Sequence, residues 1–269
     1  MEYLVDNTSV HALSQDPPGG AEPVLVFLHG AGMSHGAWSP LLSAFTETPA
    51  ILAPDLPGHG RSGGPLLPDI AAMAQWLEKL LEEAGVMQAC LVGHSMGALV
   101  ALETAARCPD RVHSLALLGV AETMPVHPKL LVAAKEGNPQ AVEMIVGWGH
   151  ASPADPGAEA ATAVQRTRQL LSESVPAVLY NDLAACNDYR QAAETAVRID
   201  CPVLLVLGSE DRMTPAKAGR KLLDHLRNAQ ACQITGAGHM LMLEQPRETA
   251  RALEYGLPDC FGGLAPETT

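Results

Sequence analysis

The sequence predicts an α/β protein, a mostly parallel sheet covered by helices on both faces. Short apolar runs recur along most of the 269 residues, each followed by a turn and then by a segment with helical spacing of its apolar positions. The composition, 47% hydrophobic and 17% charged, is that of a globular chain with a large core. One stretch, from Glu122 to Arg198, breaks the alternation by holding no strand-like run at all.

Val24 to Leu28 is the first clear strand, five consecutive apolar residues in the manner of a strand buried on both faces. Ala50 to Ala53, Ala89 to Val92, Val112 to Leu118, Val203 to Leu207 and Ala231 to Thr235 repeat the signal. Between them, Asp69 to Glu83 reads as a helix behind an aspartate cap, and Met96 to Cys108 as a helix opened directly off a strand. Pro215 to Leu226 starts with proline in its first turn, and Pro246 to Leu257 closes the series. In the strand-free stretch, alanine-rich segments broken by Pro125, Pro128, Pro139, Pro153, Pro156 and Pro176 predict several short helices. The expected organisation is a core of residues 1–121 and 199–269 with a helical cap, residues 122–198, inserted into it. Ser14 to Glu22 reads as a Pro/Gly turn cluster and Pro258 to Thr269 as a fraying end.

Charge and composition exclude several function classes. A net charge of -13 repels a phosphate backbone and an anionic membrane surface, and 4% aromatics is sparse for base stacking, so no nucleic-acid partner is expected. No run approaches the roughly 18 apolar residues of a membrane span, so no membrane insertion is expected. Met1 to Asp6 has neither the basic nor the apolar region of an export signal, which makes the cytoplasm the expected location. The six cysteines form no CxxC pair and the histidines no HExxH spacing, so neither a metal nor a cofactor is expected. Those cysteines read as buried thiols and not as a disulfide framework. Oligomeric state is not legible.

The pattern G-x-S-x-G occurs three times, at Gly32 to Gly36, Gly60 to Gly64 and Gly93 to Gly97. Its physical meaning is a sharp strand-to-helix turn that lifts a serine hydroxyl above the sheet, with glycines where larger side chains would clash. Only the third copy follows a strand directly and runs into a strong helix former, Ala98 to Arg107; the other two read as surface loops. Ser95 is therefore the expected nucleophile. A serine hydroxyl needs a base oriented by an acid. Both stand downstream in the order Ser, Asp, His: Asp211 just past the strand Val203 to Leu207, and His239 just past Ala231 to Thr235. Glu210 is the rival acid, and His94 is expected to pack beside the nucleophile. Backbone amides of Met96 and Ala31, the latter on the loop His29-Gly30-Ala31-Gly32, are the expected oxyanion donors.

Five ordered motifs now resemble the α/β-hydrolase superfamily, in its esterase, non-haem haloperoxidase and C–C hydrolase branches. They are His29-Gly30, Asp55-Leu56-Pro57-Gly58-His59-Gly60-Arg61-Ser62, the Ser95 elbow, Gly208-Ser209-Glu210-Asp211 and Gly236-Ala237-Gly238-His239-Met240. The resemblance implies a mostly parallel eight-stranded sheet with a cap after the sixth strand. Similar dehalogenases and epoxide hydrolases carry Asp where this chain has Ser95, so those reactions, and an epoxide-activating role for Tyr180 or Tyr189, are not expected. The expected activity is hydrolysis of a carboxylic ester through an acyl-enzyme, on a small to medium apolar substrate touching Gly30, Gly32, Met124, Trp148 and Met240. Thioesterase, lactonase, C–C hydrolase, perhydrolase and acyltransferase activities use the same triad. A slow-turnover ligand receptor is the rival from another class.

Overall fold

The chain opens with an antiparallel hairpin, Glu2–Val5 (β1) against Thr8–Gln15 (β2), which the long apolar runs do not signal. Its two-residue turn is Asp6-Asn7, both at positive φ (49° and 60°), a conformation that Asp and Asn tolerate and that matches the twist of a tight hairpin. Ser14 and Gln15 are thus strand and not turn, because they pair with Leu52 and Ile51. The computed structural model describes residues 1–15, 23–45, 50–152 and 157–261. The rest of the predicted turn cluster, Pro153, Pro156 and the last eight residues of the predicted fraying end lie outside the described residues.

Val24–Leu28 (β3) sends Val24, Val26 and Leu28 to one face of the sheet and Leu25 and Phe27 to the other, and all five are buried. That is why the run carries no polar alternation. After the short helix Ser39–Leu42 (α1) come Ile51–Pro54 (β4) and Ile70–Glu83 (α2), whose N-terminus is capped by Asp69 accepting from the Ala72 amide at 2.8 Å. Ala89–His94 (β5) leads through Ser95 into Met96–Arg107 (α3), and Val112–Leu118 (β6) follows. The strand-free stretch then forms Pro128–Lys135 (α4), Gln140–Gly149 (α5), Ala158–Glu173 (α6), Pro176–Asp188 (α7) and Ala192–Ala196 (α8). Val203–Gly208 (β7) returns to the sheet, and Ala216–Arg220 (α9), Ala229–Ile234 (β8), Leu241–Glu244 (α10) and Pro246–Gly256 (α11) complete the chain.

The eight strands form one sheet in the order β1-β2-β4-β3-β5-β6-β7-β8, parallel from β4 onward and antiparallel only where β2 meets β1 and β4. The central strands β3, β5 and β6 are bracketed by α2, α3 and α8 on one face and by α1 and α11 on the other. Ser95 and the loops after β3, β7 and β8 therefore share the carboxyl edge of the sheet, where parallel α/β folds place their sites. The predicted helix Pro215 to Leu226 is shorter than expected: α9 tightens into a 3₁₀ turn, Lys221–His225.

Two cysteines overturn the thiol expectation. Cys90 on β5 and Cys260 are joined as a disulfide across 170 residues of sequence, with Ser114 Oγ 2.9 Å from the Cys260 sulfur. The fraying expected from Pro258 fails at its start for the same reason, since Pro258–Phe261 forms a 3₁₀ turn with Cys260 and Phe261 buried. The spacing of the two cysteines could not reveal the pairing, because the tertiary fold, which seats the Pro258–Phe261 turn against β5 and β6, is what brings them together. Cys108, Cys186, Cys201 and Cys232 are free.

Candidate active site

The elbow is built by steric exclusion. Ser95 has φ 53° and ψ -113°, a conformation L-residues avoid, and it persists because the turn is held on both sides. The Ser95 amide donates to the Leu118 carbonyl of β6 at 2.9 Å, and the Ser95 carbonyl accepts the Ala98 amide at 3.0 Å. A Cβ on Gly93 would strike the Gly97 backbone, and one on Gly97 would strike the Leu28 carbonyl of β3. The other two pattern matches have different jobs. Ser62 donates to the Asp55 carbonyl and accepts the His11 amide, while Ser34 opens the 3₁₀ turn His35–Trp38. The Gly32 to Gly36 copy is no surface loop: Gly32, Met33 and Gly36 are buried under Leu170, Leu171 and Leu179 of the inserted helices.

Asp211 and His239 meet at the end of β7 and β8. His239 Nδ1 lies 2.9 Å from Asp211 Oδ2 and 3.1 Å from Thr214 Oγ1, and both partners of the pair are buried. An ionised carboxylate only accepts, so Nδ1 carries a proton, and in the tautomer this fixes Nε2 is the acceptor. Asp211 is saturated: Oδ1 takes the Met213 and Thr214 amides, each at 2.8 Å, and Oδ2 takes the Thr214 hydroxyl at 2.7 Å. Burial alone would raise its pKa, but the charge of His239 and its hydrogen bond, with the donors of Thr214, bring it below the usual carboxylate value. Glu210 is exposed and points its backbone amide to the Ala237 carbonyl.

The loop carrying His239 is clamped from two sides. Its amide donates to the Gly149 carbonyl at the end of α5 at 2.7 Å. Glu244 accepts the Gly238 and Met240 amides on Oε1, each at 3.1 Å, and the Ala151 amide on Oε2 at 2.8 Å. Arg212 Nη2 adds a staple, donating to the Gly147 and His150 carbonyls and to Ser152 Oγ. His94 packs beside this unit, its ring 4.8 Å from that of His239, with Nε2 donating to the His239 carbonyl at 2.9 Å. Burial, then the charge on His239, pushes His94 down to about 3 and holds it neutral.

Ser95 and His239 open into the same cavity, about 290 Å³ in volume. Of the predicted contacts, Gly30, Ala31, Met124, Trp148 and Met240 line it. Gly32 does not: its amide turns away to Asp182 Oδ2 at 2.8 Å, and Leu179 covers it. Met96 is fully buried beneath the elbow, and its amide is one of the first-turn amides of α3 that have no partner within the helix. The wall also includes Met33 from the loop after β3, His127, Leu130 and Leu183 from the inserted stretch about 30 to 90 residues beyond the elbow, and Met213 and Thr214 from the acid loop, none of which local sequence could assign. Thr214, three residues after Asp211 and just before Pro215, carried the only local signal, that of a capping turn. Arg212 is the sole Asp, Glu, Lys or Arg in the described wall, and its Nη2 donates to the neutral acceptors of the α5 end.

Away from the cavity, His11, His35 and Asp55 lie together as potential ligands. Asp55 Oδ1 accepts from the His35 amide and ring, Oδ2 from the Arg61 amide, and His11 is held by Glu2 and Arg61. The cluster thereby ties the loop after β4 to the hairpin. No helix among the described residues is long and apolar enough to cross a membrane.

Known proteins share this architecture. A pimeloyl-[acyl-carrier protein] methyl ester esterase from Chromobacterium violaceum is 32% identical over 244 residues, covering 87% of this chain and 94% of its own. An (E)-2-((N-methylformamido)methylene)succinate hydrolase from Acinetobacter baylyi is 27% identical over 275 residues, covering 94% and 96%. The solved structure of a thermophilic esterase superposes with a TM-score of 0.80 at 28% identity, covering 97% of each chain. Residues 25–252 match the sequence profile of the alpha/beta hydrolase family, which takes in the elbow, the acid loop and the histidine loop alike, and the chain belongs to that family.

Proposed function

We propose that the protein is a serine hydrolase that cleaves carboxylic esters of small to medium, neutral, apolar substrates. One observation carries this: Ser95, strained on its elbow, shares the wall of an apolar cavity with an Asp211–His239 pair whose tautomer leaves Nε2 as a base. Ser95 Oγ attacks the ester carbonyl carbon while His239 Nε2 takes its proton. Asp211 stabilises the imidazolium, and the amides of Ala31 and Met96 hold the oxyanion. Collapse expels the alcohol with the proton from His239, and a water molecule repeats the sequence on the acyl-enzyme.

The helices α4 to α7 act as a cap over the reacting centre, while α8 packs on α3, and the wall residues from α4, α5 and α7 are apolar. The described wall offers an anionic end one cation, Arg212, whose Nη2 is held by the Gly147 and His150 carbonyls and Ser152 Oγ, and the rest of it is largely apolar, so a neutral apolar ester matches more of the cavity. Competition among p-nitrophenyl butyrate, its thioester and lactone analogues, a dienone and a monomethyl dicarboxylate tests the substrate class. The highest kcat/KM is expected for the neutral ester. A preference for the acid-tailed substrate or for a non-ester would overturn the assignment.

A further inference from the structure

A buried ion pair joins the inserted helices to the loop expected to hold the oxyanion. Asp182 on α7 is fully buried, and its Oδ2 accepts both the Gly32 amide and His59 Nε2, each at 2.8 Å. The other ring nitrogen of His59, Nδ1, sits 3.1 Å from the Pro57 carbonyl. A carbonyl and a carboxylate can only accept, so both nitrogens of His59 carry protons and the ring is an imidazolium at 3% exposure. Burial works against that charge, but the hydrogen bond and charge of Asp182, helped by Pro57 and Asp55, outweigh it and the net pKa moves upward.

The consequence reaches the Ala31 amide through His29. The rings of His29 and His59 lie 4.9 Å apart. His29 Nε2 accepts the Leu56 amide at 3.2 Å, so its proton sits on Nδ1 and is donated to the Gly30 carbonyl at 3.0 Å. The Met33 amide points at the same carbonyl from 3.2 Å. The Gly30 carbonyl and the Ala31 N–H belong to one planar peptide unit and point in opposite directions, so fixing the first aims the second. The next peptide unit is fixed by Asp182 through the Gly32 amide. Gly32, at φ 68°, is further pressed by Leu179 and Leu171. Had His59 been neutral, His29 would have been freer to take a second proton and lose its Leu56 donor; burial, then the charge of His59, holds it at about 4.

We propose that Asp182 and His59 are positioning residues for the oxyanion loop, so that seating of α7 sets transition-state stabilisation and not merely the shape of the pocket. This rests on the assignment of Ser95 and Ala31 made above. The test compares wild type, Asp182→Asn and His59→Gln for kcat and KM on p-nitrophenyl butyrate. It adds inhibition by an alkyl trifluoromethyl ketone, which gains a bond to Ser95 Oγ and turns its carbonyl into an oxyanion, and by the matching alcohol, which cannot. Losing the aim of one donor is expected to lower kcat by about 10- to 100-fold, part of what deleting a donor costs. KM should stay within about twofold, and ketone affinity should fall with kcat while alcohol affinity holds. Wild-type kcat in the variants, parallel weakening of ketone and alcohol, or failure of both variants to fold would each overturn the proposal. His59→Gln keeps a donor toward Asp182 and carries the comparison where Asp182→Asn does not fold. Ser95→Ala separates the two claims: full activity there overturns the nucleophile, whereas an inactive Ser95→Ala beside a fully active Asp182→Asn overturns only the positioning.

Discussion

Replacing Cys260 by alanine frees the end of the described chain from the strand that carries Ser95. The bond closes a loop of 170 residues, and loop-closure entropy for that length is worth about 5 kcal/mol at 25 °C. Loss of the contact with Ser114 adds roughly 1 kcal/mol, since that hydroxyl is 2% exposed with its residue and has no solvent to turn to. For a chain of this size each kcal/mol moves Tm by about 2 to 4 °C, so the expected fall is about 12 to 24 °C. Cys260 is the better position to change because Cys90 lies in the middle of the sheet, where truncation would also open a cavity. Thermal unfolding followed by circular dichroism, with and without dithiothreitol, reads the effect: reductant should bring wild type down to the variant and leave the variant unmoved. Melting curves of wild type and Cys260→Ala within about 3 °C of each other, with no effect of reductant, would refute the cross-link's role.

Asp211→Asn should keep the fold yet lower kcat by about 10⁴-fold, because an amide donor facing Nδ1 favours the wrong tautomer of His239; near-wild-type turnover would move the acid role to Glu210. Glu244→Gln removes a carboxylate that accepts three amides of the histidine and α5 loops, and about 2 to 3 kcal/mol of stability should go with it, read as a fall in Tm. Acid should unfold the protein early. His29 and His94 are held at about 4 and about 3, below the ordinary 6.5, so they bind fewer protons folded than unfolded. Their contribution is therefore present above pH 6.5 and is lost as pH falls, by roughly 3 kcal/mol each at pH 4. His59 has the opposite sign: its raised pKa stabilises below 6.5 and the gain disappears as pH rises through the folded value. Denaturant midpoints that stay flat from pH 7 to 4 would contradict the acid arm.

The buried strands and the motifs at their ends were legible because each is a local signal. Val24 to Leu28 could only be a strand covered on both faces, and Ser95, Asp211 and His239 each follow a recognisable strand. The hairpin escaped because neither strand holds a long apolar run, Glu2–Val5 spanning four residues and Thr8–Gln15 mixing Val10, Ala12 and Leu13 with polar residues, and its turn is Asp6-Asn7, a weaker mark than a glycine turn. Whatever depends on distant partners was not legible. Gly32 looked like a wall residue until Asp182, 150 residues away, claimed its amide, and Cys90 met Cys260 across most of the chain. His59 stood inside a recognised motif, but nothing local said that it would be charged.

A fluorophosphonate reports on Ser95 as the nucleophile of an ester hydrolase without reference to any particular substrate. Intact mass after incubation with the reagent should show one adduct on wild type, mapped to the peptide containing Ser95, with p-nitrophenyl butyrate hydrolysis lost in step. Ser95→Ala should take up no label and lose hydrolysis above the solution rate. Labelling at another residue, or unchanged turnover in Ser95→Ala, would show that Ser95 is not the nucleophile.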